Sequence, residues 1–142
     1  MNTGPASPQS FELGAGATVR QHVWRRNATR VTLDREGIRV DYGPSASRVL
    51  RWDDPKLQFA LLDFREAEHN QPPWVRRPKQ FEFRFRPELG MSGFAIPEVL
   101  FRALMAAAGS AGLLLGPGMT GGGIPAGTKV YHYARRRPRW WS

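Results

Sequence analysis

The sequence predicts an α+β domain in which a run of short antiparallel strands is followed by one helix. Two observations carry this prediction. Between residues 29 and 96, apolar side chains alternate with polar ones in short runs separated by turn residues, which is typical of half-buried strands. From Pro97 onward, apolar residues recur at helical spacing, which is typical of one buried helix face.

Length and composition fit one basic domain. The 142 residues, of which 41% are hydrophobic, are enough for a single modest core. The net charge is +9, and only three of the 21 basic residues are lysines. A surface with this excess attracts nucleic acid, anionic lipid or an acidic protein. The chain has no cysteine, which excludes disulfides, thiolate metal sites and cysteine nucleophiles.

No segment is typical of a secretory signal or a membrane span. Residues 1–10 contain neither a basic side chain nor an apolar run. The most apolar stretch, residues 103–116, contains glycines and is shorter than the roughly 20 residues that a spanning helix needs. We therefore expect a cytoplasmic protein.

The first predicted elements are an arm and a hairpin. Residues 1–18 are rich in Gly, Pro, Ser and Ala, which predicts a flexible arm, and residues 19–25 predict a first strand. Two alternating runs, residues 29–34 and 38–42, flank the segment Asp34-Arg35-Glu36-Gly37. Asp favours a turn there by bonding its own backbone and Gly by adopting positive φ, so the two runs predict a hairpin.

Three further strands are predicted after the hairpin. Residues 48–52 form the first, which ends at the turn Asp53-Asp54-Pro55. Residues 57–64 form the second, and their apolar phase changes midway, which predicts a bulge. Residues 80–86 form the third, in which three phenylalanines alternate with charged residues, so that one face is expected to contact the core and the other water.

A short strand and a helix follow. Residues 94–96 predict the last strand before Pro97, which suits the first helical position. Helical spacing of apolar residues continues to Ala108, and Gly109 and Gly112 are expected to stop the helix.

Beyond the helix, a glycine-rich connector leads to Val130, Tyr131 and Tyr133, which are expected to form a closing strand or to pack against the body. The predicted organisation is therefore a flexible arm at 1–18, a folded unit at 19–112, and a connector with an Arg- and Trp-rich tail at 113–142.

The order of these elements resembles that of the pleckstrin-homology-like (PH-like) superfamily. The resemblance rests on the Leu33–Ile38 hairpin, the Val49–Trp52 strand and the helix starting at Pro97. It implies a partly open β-barrel or sandwich of six or seven strands that one C-terminal helix caps, with Leu100 and Leu104 covering the interior. It also implies a binding module for phosphoinositides, peptides or other proteins, although a fold does not determine a function.

The residues that carry metal or acid–base chemistry are scattered. His22, His69 and His132 lie on unrelated segments without the spacing of a metal site, which favours surface histidines. Asp53-Asp54 is typical of a turn, and no serine has a nucleophile-elbow pattern. We therefore predict neither an enzyme nor a metal or cofactor site.

Residues 122–129 are similar to a phosphate-binding loop, but the order of the last two residues is inverted. Thr128 precedes Lys129, and the segment follows a helix instead of leading into one. This favours a flexible connector.

The first of two basic clusters contains Arg25 and Arg26, with Arg30 across a predicted turn at Asn27-Ala28. The resemblance implies that such a loop can present basic groups to phosphoinositide head groups. The lysine signature of phosphoinositide-binding PH domains is absent, which favours an ordinary solvated hairpin tip.

The second cluster is the tail, residues 135–141. Arginine next to tryptophan can grip phosphates and stack on bases, sit at a membrane interface, or form a protein hot spot. Alternatively, the tryptophans fold back and cover apolar surface of the domain. The candidate binding residues of the tail are Arg135, Arg136, Arg137, Arg139, Trp140 and Trp141.

These observations predict a non-catalytic interaction module whose partner is another protein or a larger assembly. The first alternative is a basic protein that associates with nucleic acid, in particular RNA, and the second is peripheral binding to anionic membrane lipids. No small-molecule substrate is indicated. The excess of basic over acidic residues lies before Asp34 and after Glu98, so both ends are the first candidate contact sites.

Overall fold

The computed structural model describes residues 4–13, 18–20, 25–43, 46–67, 80–85, 92–117, 124, 126–139 and 141. Eleven strands and one helix lie in this part of the chain. In chain order they are β1 Gln9–Glu12, β2 Thr18–Arg20, β3 Arg25–Asn27, β4 Arg30–Leu33, β5 Gly37–Asp41, β6 Ser47–Arg51, β7 Gln58–Asp63, β8 Phe81–Phe85, β9 Ser92–Ala95, α1 Glu98–Ser110, β10 Leu114–Gly116 and β11 Lys129–Ala134.

The strands form two main sheets and a short ribbon, and every pairing is antiparallel. One sheet has the order β1-β4-β5-β6, the other β10-β11-β7-β8-β9, and the ribbon consists of β2 and β3. The predicted α+β class, with antiparallel strands and one helix, is therefore confirmed. Among the residues described, the two sheets do not join into a closed barrel.

The predicted hairpin is β4 and β5, and its turn depends on Asp34. Oδ1 of Asp34 accepts hydrogen bonds from the backbone N–H groups of Glu36 and Gly37, at 2.9 and 3.1 Å. The expectation that Gly37 adopts a positive φ is wrong. Glycine is needed there for a different reason, because a Cβ would collide with the carbonyl oxygen of Leu50 on β6.

The predicted bulge in the strand at residues 57–64 is also wrong. β7 keeps an unbroken register with β11 on one side and with β8 on the other. Both faces of β7 are buried: Phe59 and Leu61 on one face, Ala60 and Leu62 on the other. Apolar residues in both phases indicate this double burial rather than a change of phase.

Both ends of the chain contribute strands to the body. β1 lies within the segment predicted as an arm, and Phe11 pairs with Val31 of β4. β11 lies beyond residue 112, where the folded unit was predicted to end, and it pairs with β7 over six positions. Neither pairing could be recognised from local sequence, since the partners are far apart in the chain.

One core lies between the sheets and α1. It contains Phe59, Phe83 and Phe85 of the five-stranded sheet and Val31 and Ile38 of the four-stranded sheet, among others. The helix begins after Pro97, which is its N-cap and not its first helical residue as predicted. Leu100 and Leu104, the predicted buried face of the helix, are fully buried. No helix in the described ranges is long and apolar enough to cross a membrane.

Candidate interaction surface at β10 and the tail

Trp141 packs on the outer face of the five-stranded sheet, the face opposite the core. Its side chain is buried, with an exposed fraction of only 5%. The indole N–H donates a hydrogen bond to Nδ1 of His132 over 2.9 Å, and the two rings meet edge to face. Gly116 leaves room for the indole, because a Cβ at this position would overlap the ring. The alternative in which a tail tryptophan covers the domain therefore describes Trp141.

His132, which we expected at the surface, is fully buried, so that prediction is wrong. Burial lowers its pKa from 6.5 to about 4, so the imidazole is neutral near pH 7. Because Nδ1 accepts the indole hydrogen, the ring hydrogen of the neutral form is on Nε2. His22 and His69 lie outside the described residues.

Arg135 bonds the tail to the body of the domain, and Arg137 forms hydrogen bonds within the tail. Nε and Nη2 of Arg137 donate hydrogen bonds to the backbone carbonyl of Trp141 at 3.0 and 2.8 Å. Nε of Arg135 donates to the carbonyl of Trp52 at 2.7 Å, and its backbone N–H donates to the carbonyl of Leu57. Both guanidinium groups therefore bind the protein's own backbone.

The remaining tail arginines face outward. Arg136 and Arg139 are exposed, and neither forms an ion pair with any residue that the structure describes. Trp140 lies outside the described residues. The predicted tail cluster thus divides into residues that anchor the tail and residues that present charge.

Beside the tail, β10 forms an edge of the five-stranded sheet. Within the described part of the chain its only strand neighbour is β11. Leu114 is 46% exposed and Leu115 is 58% exposed, which is unusual for adjacent leucines on a strand. A depression of about 330 Å³ lies at this edge. Its lining, which we call the β10 surface, consists of Leu114, Leu115, Gly116, Pro117, Arg137 and Trp141.

The first predicted basic cluster is not a hairpin tip. Asn27 ends β3 and Arg30 begins β4, and these strands belong to different sheets. Ala28, expected in a solvated turn, is buried because the chain crosses there between the ribbon and the four-stranded sheet. Nε of Arg30 pairs with Glu12 on β1 at 2.6 Å, and the side chains of Arg25 and Arg26 lie outside the described residues.

The acidic side chains contribute to turns and to ion pairs. Asp53 pairs with Arg51, which lowers the pKa of Asp53, and Asp54 accepts the backbone N–H of Lys56. Asp63 is buried, and Arg65 lowers its pKa through two hydrogen bonds from its guanidinium. In the described ranges, no three His, Asp or Glu side chains are grouped as they would be around a metal ion.

The segment that is similar to a phosphate loop lies partly outside the described residues. Where it is described, Gly127 has a φ of +88° and packs closely on the backbone of Glu66. Nζ of Lys129 lies 3.5 Å from a carboxylate oxygen of the same Glu66. Lys129 therefore contacts an acidic side chain of the β7–β8 connection.

Comparison with known proteins gives no relative: no family model, no curated protein and no solved structure matches the chain.

Proposed function

We propose that this chain is a non-catalytic, PH-like interaction module and that its partner is another protein. The strand order supports the PH-like part. If the β2–β3 ribbon is treated as an insertion, β1, β4, β5 and β6 follow one another as a meander. β7, β8 and β9 form a second meander, which α1 follows. The added feature is the pair β10 and β11 on the free side of β7.

The observation that supports a protein partner is the pair of exposed leucines on β10, together with the exposed arginines of the tail. Leu114 and Leu115 offer apolar area for burial, and Arg136 and Arg139 offer charges without a partner among the described residues. An apolar centre with arginines at its rim is the usual composition of a protein-binding patch.

The nucleic-acid alternative is less well supported by the tail. Base stacking needs an aromatic face that is open to solvent. Trp141 instead buries its ring against Gly116 and directs its indole N–H to His132. Among the tail residues that the structure describes, the arginines alone would provide a salt-dependent contact to phosphates, without this stacking.

A pull-down tests the proposal. The tagged full chain is incubated with extract of its native cells after treatment with RNase and DNase, and captured proteins are identified. We expect one partner at defined stoichiometry, and we expect the complex to form again from the two purified proteins. If nuclease treatment removes everything that the chain captures, its partner is nucleic acid and the proposal is wrong.

A further inference from the structure

β10 exposes one leucine on each face of the sheet. Successive side chains of a strand point to opposite faces. Leu115 pairs with Tyr133, whose ring packs in the core, and therefore lies on the inner face. Leu114 lies on the other face together with Gly116, where Trp141 packs.

The positions of these two leucines indicate which kind of partner structure can cover both of them. A helix, a membrane or a flat protein surface would cover one face of the sheet and leave the other leucine in water. A further strand covers both faces, because its own side chains alternate, and it also pairs with the backbone edge of β10 that no described strand occupies. We propose that β10 receives an extended segment of a partner protein as an additional strand of the five-stranded sheet.

The charges beside β10 indicate the composition of that segment. Arg136 and Arg139 are exposed in the tail, which follows Ala134, the partner of Leu114 at the start of β10. Arg137 lines the β10 surface. No acidic residue follows Glu98 in the sequence. The segment is therefore apolar at alternate positions and acidic in its flanks. A second copy of this chain does not fit, because two copies that each carry a net charge of +9 repel each other.

The other edge strands lack these features. β6 exposes Val49 to 41%, but Val49 has no exposed leucine beside it, and two of the five residues of this strand are arginines. β1 is mostly polar, and its Glu12 is paired with Arg30. β9 lies against β2. Adjacent exposed leucines therefore single out β10 among the edge strands described.

This inference rests on the proposed function and names its site and partner chemistry. To test it, the full chain is immobilised and a random-peptide display library is selected against it. The enriched peptides are synthesised and titrated into ¹⁵N-labelled full chain. We expect acidic peptides with alternating apolar residues, and we expect amide shifts centred on residues 113–117 together with the indole N–H of Trp141.

The decisive variant is Leu114→Lys with Leu115→Lys. Lysines on an edge strand block strand addition, yet they add positive charge, so lost binding cannot come from weakened attraction to an acidic peptide. We expect affinity to fall about tenfold or more. The matched control is Val49→Lys, which makes a similar change on the edge strand of the other sheet and should leave the affinity unchanged.

Several results would overturn the inference. The selected peptides could lack acidic residues, or the double-lysine variant could bind them as tightly as the unchanged chain does. The amide shifts could lie away from β10, or no selected peptide could shift the β10 amides. Polyuridine RNA that shifts the same amides and binds the double-lysine variant more tightly would instead assign the surface to nucleic acid. If light scattering shows a dimer of the unchanged chain and a monomer of the double-lysine variant, the β10 surface instead binds a second copy.

The two proposals fail differently. If the double-lysine variant captures the nuclease-resistant partner as well as the unchanged chain does, the interaction module stands and the β10 site is wrong. If the unchanged chain captures no protein, the proposed function itself fails.

Discussion

The indole N–H of Trp141 bonds Nδ1 of His132 over 2.9 Å, and both side chains are buried. His132 lies on β11, which pairs with β7 inside the five-stranded sheet. Arg137 donates two hydrogen bonds to the carbonyl of Trp141. These two hydrogen bonds lie within the tail, and the second anchor to the body is the hydrogen bond from Nε of Arg135 to the carbonyl of Trp52.

Replacing Trp141 should destabilise the whole domain. Trp141→Ala removes a large buried ring and leaves His132 without this donor, so we expect the free energy of unfolding to fall by about 3 kcal/mol. Trp141→Phe keeps most of the ring but removes the N–H, and we expect a loss of about 1–2 kcal/mol. Urea denaturation of the full chain measures both. Equal stability of Trp141→Ala and the unchanged protein would mean that the tail is not anchored in solution.

His132 should make the protein sensitive to mild acid. Its pKa is about 4 in the folded state and about 6.5 when unfolded, so the unfolded state binds an extra proton between these values. Stability is thus fully present above pH 6.5 and falls as the pH drops towards 4, by about 3 kcal/mol in total. Protonation of Nδ1 also removes the acceptor of the Trp141 hydrogen bond.

Denaturation midpoints measured from pH 7.5 to 4 check this expectation. His132→Gln removes the titrating group, and we expect a nearly flat profile above pH 4.5. Asp63 also has a lowered pKa, through its hydrogen bonds with Arg65, but the stability it contributes is lost only as the pH falls below the usual range of an Asp carboxyl. A profile that His132→Gln leaves unchanged would assign the acid sensitivity to another group.

Gly116 and Gly109 make a matched pair of glycine substitutions. A Cβ at Gly116 would overlap the Trp141 indole, so Gly116→Ala should displace the ring and cost about 1–2 kcal/mol. Gly109 lies in α1 with open space around it, so Gly109→Ala should stabilise the protein by about 0.5–1 kcal/mol. Thermal denaturation of the two variants gives opposite shifts if the packing is as described. Shifts in the same direction would contradict it.

Local patterns predicted the elements whose partners are close in the chain. The β4–β5 hairpin follows from alternation around Asp34, and α1 follows from helical spacing after Pro97. The error at β7 arose because distant segments decide its environment. β7 was assigned a bulge because its apolar residues occupy both phases, and only its pairing with β8 and β11 shows that it is interior.

The site was less predictable than the fold, for a similar reason. Arginine and tryptophan marked the tail, but the sequence did not distinguish anchoring residues from presented ones. That distinction depends on the carbonyl of Trp52 for Arg135 and on the imidazole of His132 for Trp141. Leu114 and Leu115 were read as part of an apolar run, and their exposure results from the edge position of β10.

Substitutions of two adjacent tail arginines should have different effects on stability. Arg135→Ala removes the donor to the carbonyl of Trp52, so we expect a loss of about 1–2 kcal/mol in urea denaturation. Arg136→Ala removes an exposed side chain without an ion pair among the described residues, and we expect unchanged stability.

Binding should depend on the exposed arginines of the tail rather than on Arg135. Arg136→Glu with Arg139→Glu keeps the fold but opposes an acidic partner segment, so affinity for the selected peptides should fall and its dependence on salt should weaken. If these charge reversals leave the affinity unchanged while Arg135→Ala lowers it without loss of stability, Arg135 is the contact residue and the exposed arginines are not.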